Sequence, residues 1–323
     1  MQRPRVLCTL ALAATGAILS ACGGGGGGGT SGTPPVVGQG SVPMASARAL
    51  DVSTRSAPVT CTPILTANPN TKLNPTRTIR FVGVPNDGND EEGGQHEDRV
   101  RNIDGGGCDY GIYLGPNSKH ARLRHARVHG AGHIQVVADG AEDFQISDTV
   151  VDGHGSDATG DGIWFAYGTT GSVERSIITD AFDGIVIINN ARGLVGETLI
   201  KNMSFLGINV QGSNVVVEDV RVDNSMNVGG GAAIQYGSTA NLRNITAIGS
   251  GQPTVLPGPE DGFFFGNGAP STVTTHNLTA IHMQRGFASY CAIGVNSIAD
   301  LTNAGDRAIN STIAPFTVLT TGC

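Results

Sequence analysis

Two aspartates open the chemical reading, because their type and spacing could place them side by side. Asp161 begins the segment DGIWF at 161–165 and Asp183 begins DGIVI at 183–187, so one Asp-Gly opening follows the other after a short interval. If each segment is one strand of a stacked repeat, the two side chains fall about 5 Å apart, one strand spacing. Like charges that close raise one pKa or recruit a cation, which suits an acid/base pair. Asp261 opens a third such segment, DGFFF at 261–265. The competing reading is local turn chemistry, in which aspartate before glycine bonds its own backbone and caps a bend.

A second set of residues surrounds these acids. If the apolar residue after each glycine points inward, strand alternation sends the next one outward. That outward column reads Tyr113, Gln135, Trp164, Val186, Asn209, Gln235 and Phe264, and it includes the only tryptophan of the chain. Aromatic faces stack on the apolar faces of sugars and amides bond hydroxyls, so an extended glycan could lie along Tyr113, Gln135, Trp164, Asn209, Gln235 and Phe264. Isolated exposed aromatics that need no ligand are the alternative.

Other ligating types are weaker. The aligned turn positions His129, Asp152, Thr179, Lys201 and Asp223, with His133 and His154 nearby, could form a His–Asp pair or a metal site. Three arginines in HARLRHARVHGAGH at 120–133 oppose a cation there. In the insert DGNDEEGGQHED at 87–98, Asp87, Asn89, Glu91 and Asp98 match calcium-loop positions one, three, five and twelve. Position six is Glu92 where the bend requires glycine, so a solvated acidic loop is the expectation and calcium a minor one. No other cofactor is expected.

The elements that must position these residues follow from composition. Of 323 residues, 48 are glycine, against a usual share of ~7%. Aromatics are 5% and charged residues 15%. Glycine costs roughly 1 kcal/mol per helix-interior site relative to alanine, so a helical bundle is excluded and an all-β chain with many turns remains. A net charge of −7 argues against nucleic acid as a partner.

From about residue 110 one pattern recurs: a short Gly-Ile-like strand, then a second strand a short turn later. Its aligned inward apolar positions are Leu123, Ile146, Val173, Val195, Val217, Leu242, Thr275 and Val295. Two residues further stand His125, Asp148, Arg175, Glu197, Asp219, Asn244 and Asn277, a turn or an outward polar ladder. Repeats of this length built from alternating strands mark a solenoid. The remaining glycines are expected at its sharp bends, where φ > 0 recurs.

On the xDGIxΦ strands at 161, 183 and 261, the segments at 212–217 and 237–242, and IDGGG at 103–107, residues 61–323 resemble the right-handed parallel β-helix family. That family includes pectate lyases, polygalacturonases and generic β-helix repeat proteins. The resemblance implies a single all-β domain of about eight coils. It also implies contact with polysaccharide, through binding or through cleavage by a lyase or glycoside hydrolase with Asp161 and Asp183 as catalytic acids. The sequence departs from the polygalacturonase pattern. Phe182-Asp183-Gly184 carries one aspartate where that pattern has two, and Phe205-Leu206-Gly207 has no histidine. A non-enzymatic surface or envelope module is the alternative.

The N-terminal region supplies an address. Arg3 and Arg5 precede a mostly apolar run from Leu7 to Leu19. That run is too short to span a bilayer and falls within a signal peptide expected over 1–21. Leu19-Ser20-Ala21-Cys22 resembles the bacterial lipobox, which implies lipidation at Cys22 and a membrane partner. Residues 22–60, with seven consecutive glycines from Gly23 to Gly29, read as a flexible tether. The chain is therefore expected in the bacterial cell envelope, lipid-anchored and extracytoplasmic, facing the periplasm or the cell surface. Cys61, Cys108, Cys291 and Cys323 form an even set for two disulfides, with three possible connectivities.

Overall fold

The computed structural model describes residues 61–63, 77–79, 101–105, 108–116, 118–153, 160–252 and 260–320. All of them belong to one compact unit, Val42–Cys323. The signal, the tether, the acidic insert at 87–98, His154 and Cys323 lie outside the described residues, as does the side chain of Cys61.

Three sheets of eleven, seven and nine strands form among the described residues, and apart from one antiparallel pair, Cys61–Pro63 with Arg77–Ile79, every pairing is parallel. Successive strands of one sheet come from successive coils, which makes a right-handed parallel β-solenoid of about eight turns. One coil shows the construction. Asp161–Ala166 belongs to the eleven-stranded sheet, Thr170–Glu174 to the seven-stranded and Ile177–Thr179 to the nine-stranded. Each coil therefore has three strands where the sequence suggested two. The second strand divides at the polar position that follows its inward apolar residue.

That division has a backbone cause. His125, Asp148, Arg175, Glu197, Asp219, Asn244 and Asn277 all adopt φ between 46° and 60°. One left-handed residue turns the chain from one sheet to the next. Such a conformation costs a non-glycine residue about 1–3 kcal/mol, and the column recovers part of that through contacts along itself. Asn244 donates to Asp219 at 3.0 Å, Asn277 donates to Asn244 at 3.3 Å, and Arg175 forks onto Asp148 at 3.0 and 3.1 Å.

The core stacks by type. Leu123, Ile146, Val173, Val195, Val217, Leu242 and Thr275 stand in one continuous register. Val295 is buried but outside any strand; there the chain leaves the ladder for the helix Ile298–Asn303, whose N-cap Ser297 accepts from Asp300 N at 3.1 Å. Ile163, Phe165, Val173 and Ile178 of one coil meet Ile185, Ile187, Val195 and Ile200 of the next, all at most 1% exposed. Each such side chain contributes about 1.5–3 kcal/mol by leaving water.

The glycine after each aspartate, like its counterparts in the other coils, has a different role from the expected bend. Gly162, Gly184, Gly207, Gly231, Gly262 and Gly286 do not have positive φ. At Gly184 an added Cβ would lie 2.6 Å from the Gly207 carbonyl oxygen and 2.6 Å from Ile200 Cγ2. Glycine is required there because two sheets meet without room for a side chain. Other glycines, such as Gly168 at φ 81° and Gly212 at φ 54°, do sit at bends.

Candidate functional site on the outer side of the eleven-stranded sheet

The strand that carries Asp161 pairs with Asp183–Ile188 so that Ile163 faces Ile185 and Trp164 faces Val186. Two residues upstream, Asp161 and Asp183 therefore occupy one slot in neighbouring coils, as the sequence suggested. Continued in both directions, this slot reads Tyr110, Ile134, Asp161, Asp183, Leu206, Gly230, Asp261 and Arg285.

Neither aspartate caps its own turn. Asp161 Oδ1 accepts from the backbone N–H of Asp183 at 2.9 Å, and Asp183 Oδ1 accepts from that of Leu206 at 3.1 Å. Each carboxyl thus ties its coil to the next. The remaining oxygens are also engaged: Trp164 Nε1 donates to Asp161 Oδ2 at 2.8 Å, and Asn209 Nδ2 to Asp183 Oδ2 at 2.9 Å. Burial pushes the Asp161 carboxyl up to about 6 against these donors. Burial and then the charge of Asp161 push Asp183 up to about 8. Asp261, in the same slot, is forked by Arg285 at 2.6 and 2.7 Å; burial still raises its carboxyl.

The outward column differs from the sequence expectation at two positions. The register gives Tyr113, Val137, Trp164, Val186, Asn209, Ala233, Phe264 and Ala288. Gln135 is not on it. It is fully buried, in the slot that glycine fills elsewhere, with its amide bonded to the backbone N–H and carbonyl of Ala131. Gln235 faces outward one step along its strand, in register with Gln211 and not with Asn209. Tyr113, Trp164, Asn209 and Phe264 stand where expected.

Together these residues make a continuous strip on the outer side of the sheet, in which Tyr113, Trp164, Gln211, Gln235 and Phe264 are half-buried and Val137, Val186, Asn209, Ala233 and Ala288 are buried. Tyr110, Ile134 and Val137 form an apolar patch against which Tyr113 and Trp164 pack. From Asp183 the polar contacts run through Asn209, whose Oδ1 accepts from Gln211 at 3.2 Å and Gln235 at 3.4 Å. They continue from Gln235 to Asn267 at 3.2 Å. An aromatic end thus passes into an amide end, with the two aspartates between.

Two residues of this surface lay outside the sequence reading. Phe182 and Phe205 immediately precede Asp183 and Leu206, at the corner where each coil enters the sheet. Their rings stack at 5.0 Å between centroids and 13° between planes, and Phe205 is 37% exposed. The signal available was their shared offset, one residue before the aligned slot.

The second candidate is aligned but dispersed. His129, Asp152, Thr179, Lys201 and Asp223 are in register. Asp152, however, pairs with Arg127 at 2.7 Å, and Asp223 with Arg221 at 2.8 Å. Among the described residues no group of three or more His, Cys, Asp or Glu side chains could hold a metal ion.

A family model described as the right-handed β-helix region matches residues 110–278 and, overlapping, 161–311. No curated protein and no solved structure matches the chain.

Proposed function

The chain belongs to the right-handed β-helix family, and from that premise we propose that it binds polysaccharide along the outer side of its eleven-stranded sheet. The observation that carries this reading is the run from Tyr113 and Trp164 through Asp161, Asp183 and Asn209 to Gln211 and Gln235. Ring faces for stacking and an amide for hydroxyls recur at every second coil, with Val137, Val186 and Ala233 between them, about two strand spacings of ~4.8 Å apart. Engagement of all four carboxylate oxygens of Asp161 and Asp183 favours binding over cleavage, since both groups are already held by donors of the chain.

The same proposal places the domain outside the cytoplasm. A signal over 1–21, lipid on Cys22 and a glycine-rich tether would let the rod stand off a membrane. Disulfides among Cys61, Cys108, Cys291 and Cys323 would close its two ends.

The test is affinity electrophoresis of the protein in gels cast with soluble polysaccharides, with reducing ends and unsaturated products assayed in parallel. Retention that Trp164→Ala abolishes, with no product released, is the expected result. Retention unchanged in that variant would remove the surface from the account. Product release lost in Asp161→Asn would replace binding with catalysis.

A further inference from the structure

The outer surface also carries information about which glycan it takes; the inference rests on the binding reading above. Along the corner column the chain reads His133, Gly160, Phe182, Phe205, Gly229 and Glu260. The backbone bonds that link these coils fix the alignment: Asp161 N to His133 O, Phe182 N to Gly160 O, Phe205 N to Phe182 O and Gly230 N to Phe205 O. Phe182 and Phe205 are therefore a stacked aromatic pair set between two glycines. The aspartate slot lies between this pair and the column that holds Trp164. Asp161 is bonded to Trp164 on one flank, and Asp183 directly follows Phe182 on the other. Aromatic residues thus flank the aspartate slot along the chain, Phe182 and Phe205 before it and Trp164 after it.

The charges of the same surface point one way. Between the strands Tyr110–Leu114 and Arg285–Tyr290, Asp139, Asp161 and Asp183 bring carboxyl groups to the outward columns. The arginine among the described residues of those columns is Arg285. Its guanidinium is occupied twice by Asp261 and once by Tyr290 Oη at 2.7 Å. A polyuronate would have to give up hydration of its carboxylates on a strip whose arginine is already taken up and whose Asp161 lies beside the rings.

We propose that this surface selects an uncharged polysaccharide, with Phe182 and Phe205 as a second stacking step beside Trp164. Sugar rings without carboxylates present apolar faces to the three rings, and their hydroxyls meet the half-buried amides of Gln211 and Gln235. Phe205 is the specificity-determining residue of the pair that solvent reaches most directly.

The experiment is affinity electrophoresis of the full chain in gels with hydroxyethyl cellulose or galactomannan, against polygalacturonate or alginate. It is run at low and high salt. Retention by a neutral polymer that is insensitive to salt and exceeds that by either polyuronate is the expected outcome. Phe205→Ala should weaken that retention about three- to tenfold, the worth of one ring contact, at unchanged melting temperature. Stronger retention by a polyuronate, falling with salt, overturns the selectivity while leaving glycan binding in place. Full retention by a folded Phe205→Ala protein overturns the second stacking step. Retention by none of the four polymers overturns the binding reading itself, and the selectivity with it.

Discussion

At the scale of the residue, the two aspartates explain why a composition poor in charge still commits carboxyl groups to buried positions. Each accepts a backbone N–H from the next coil, an exchange that leaves a carboxyl in a site that disfavours its charge. The folded pKa is near 6 for Asp161 and near 8 for Asp183. Both lie above the unfolded value of ~3.9, so the folded state holds more protons. Stability from both groups is therefore complete below pH 4 and is lost as pH rises through 6 to 8. Glu260, lifted by burial to about 7, acts in the same direction. Melting temperature should fall between pH 5 and pH 9 by at least ~2–4 °C, the shift expected of about 1 kcal/mol in a domain of this size. Asp183→Asn should flatten that slope. Its amide keeps the size of the carboxyl group and does not titrate. A slope left unchanged by the substitution would show that Asp183 is charged in the folded protein.

At the scale of the element, glycine separates into sites of close approach and sites of backbone freedom. Gly184→Ala forces a methyl group against a carbonyl oxygen and Ile200. It should cost about 1–3 kcal/mol in denaturant unfolding, the usual penalty of overpacking. Gly196 has ordinary φ, and an added Cβ there would meet only side-chain and backbone atoms at normal van der Waals separation. Gly196→Ala should therefore leave the denaturant midpoint almost unmoved, as substitutions away from tight contacts do. Equal effects at the two sites would contradict the close-approach account. The sequence was readable wherever apolar residues recur on one side of a coil, as from Leu123 to Leu242. It misled where two inward positions lie two residues apart on one strand. Sliding the alignment by two preserves the apolar pattern, because strand alternation has period 2. Gln235 was displaced along its strand in this way, counted from Ile234 rather than Ala232. Gln135 was misplaced because Ile134 stands in the aspartate slot, where it imitates the isoleucine of the DGI segments. Phe182 and Phe205 escaped notice because a corner residue belongs to no alternating strand.

At the scale of the whole molecule, the solenoid is a rod in which each coil supports only its neighbours, so a surface can extend without redesign of the core. The class of fold was legible because its repeat survives insertions such as GQPTVLPGPE at 251–260. The chemistry was less legible, because Asp-Gly serves coil linkage as well as any reaction. The proposed anchor makes a separate prediction: the full chain should partition with membranes and take up labelled fatty acid, and Cys22→Ser should abolish both. Uptake that persists in the variant would place the lipid elsewhere.

The central claim, that polysaccharide lies on the surface around Asp161 and Trp164, can be read from a single chromophore. The chain has one tryptophan, so its indole emission reports from that surface alone. Titration of the folded protein with a polysaccharide that retains it should shift Trp164 emission to shorter wavelength and saturate with the binding curve. A retained protein whose emission does not move would show that the polysaccharide binds elsewhere, and would contradict the account.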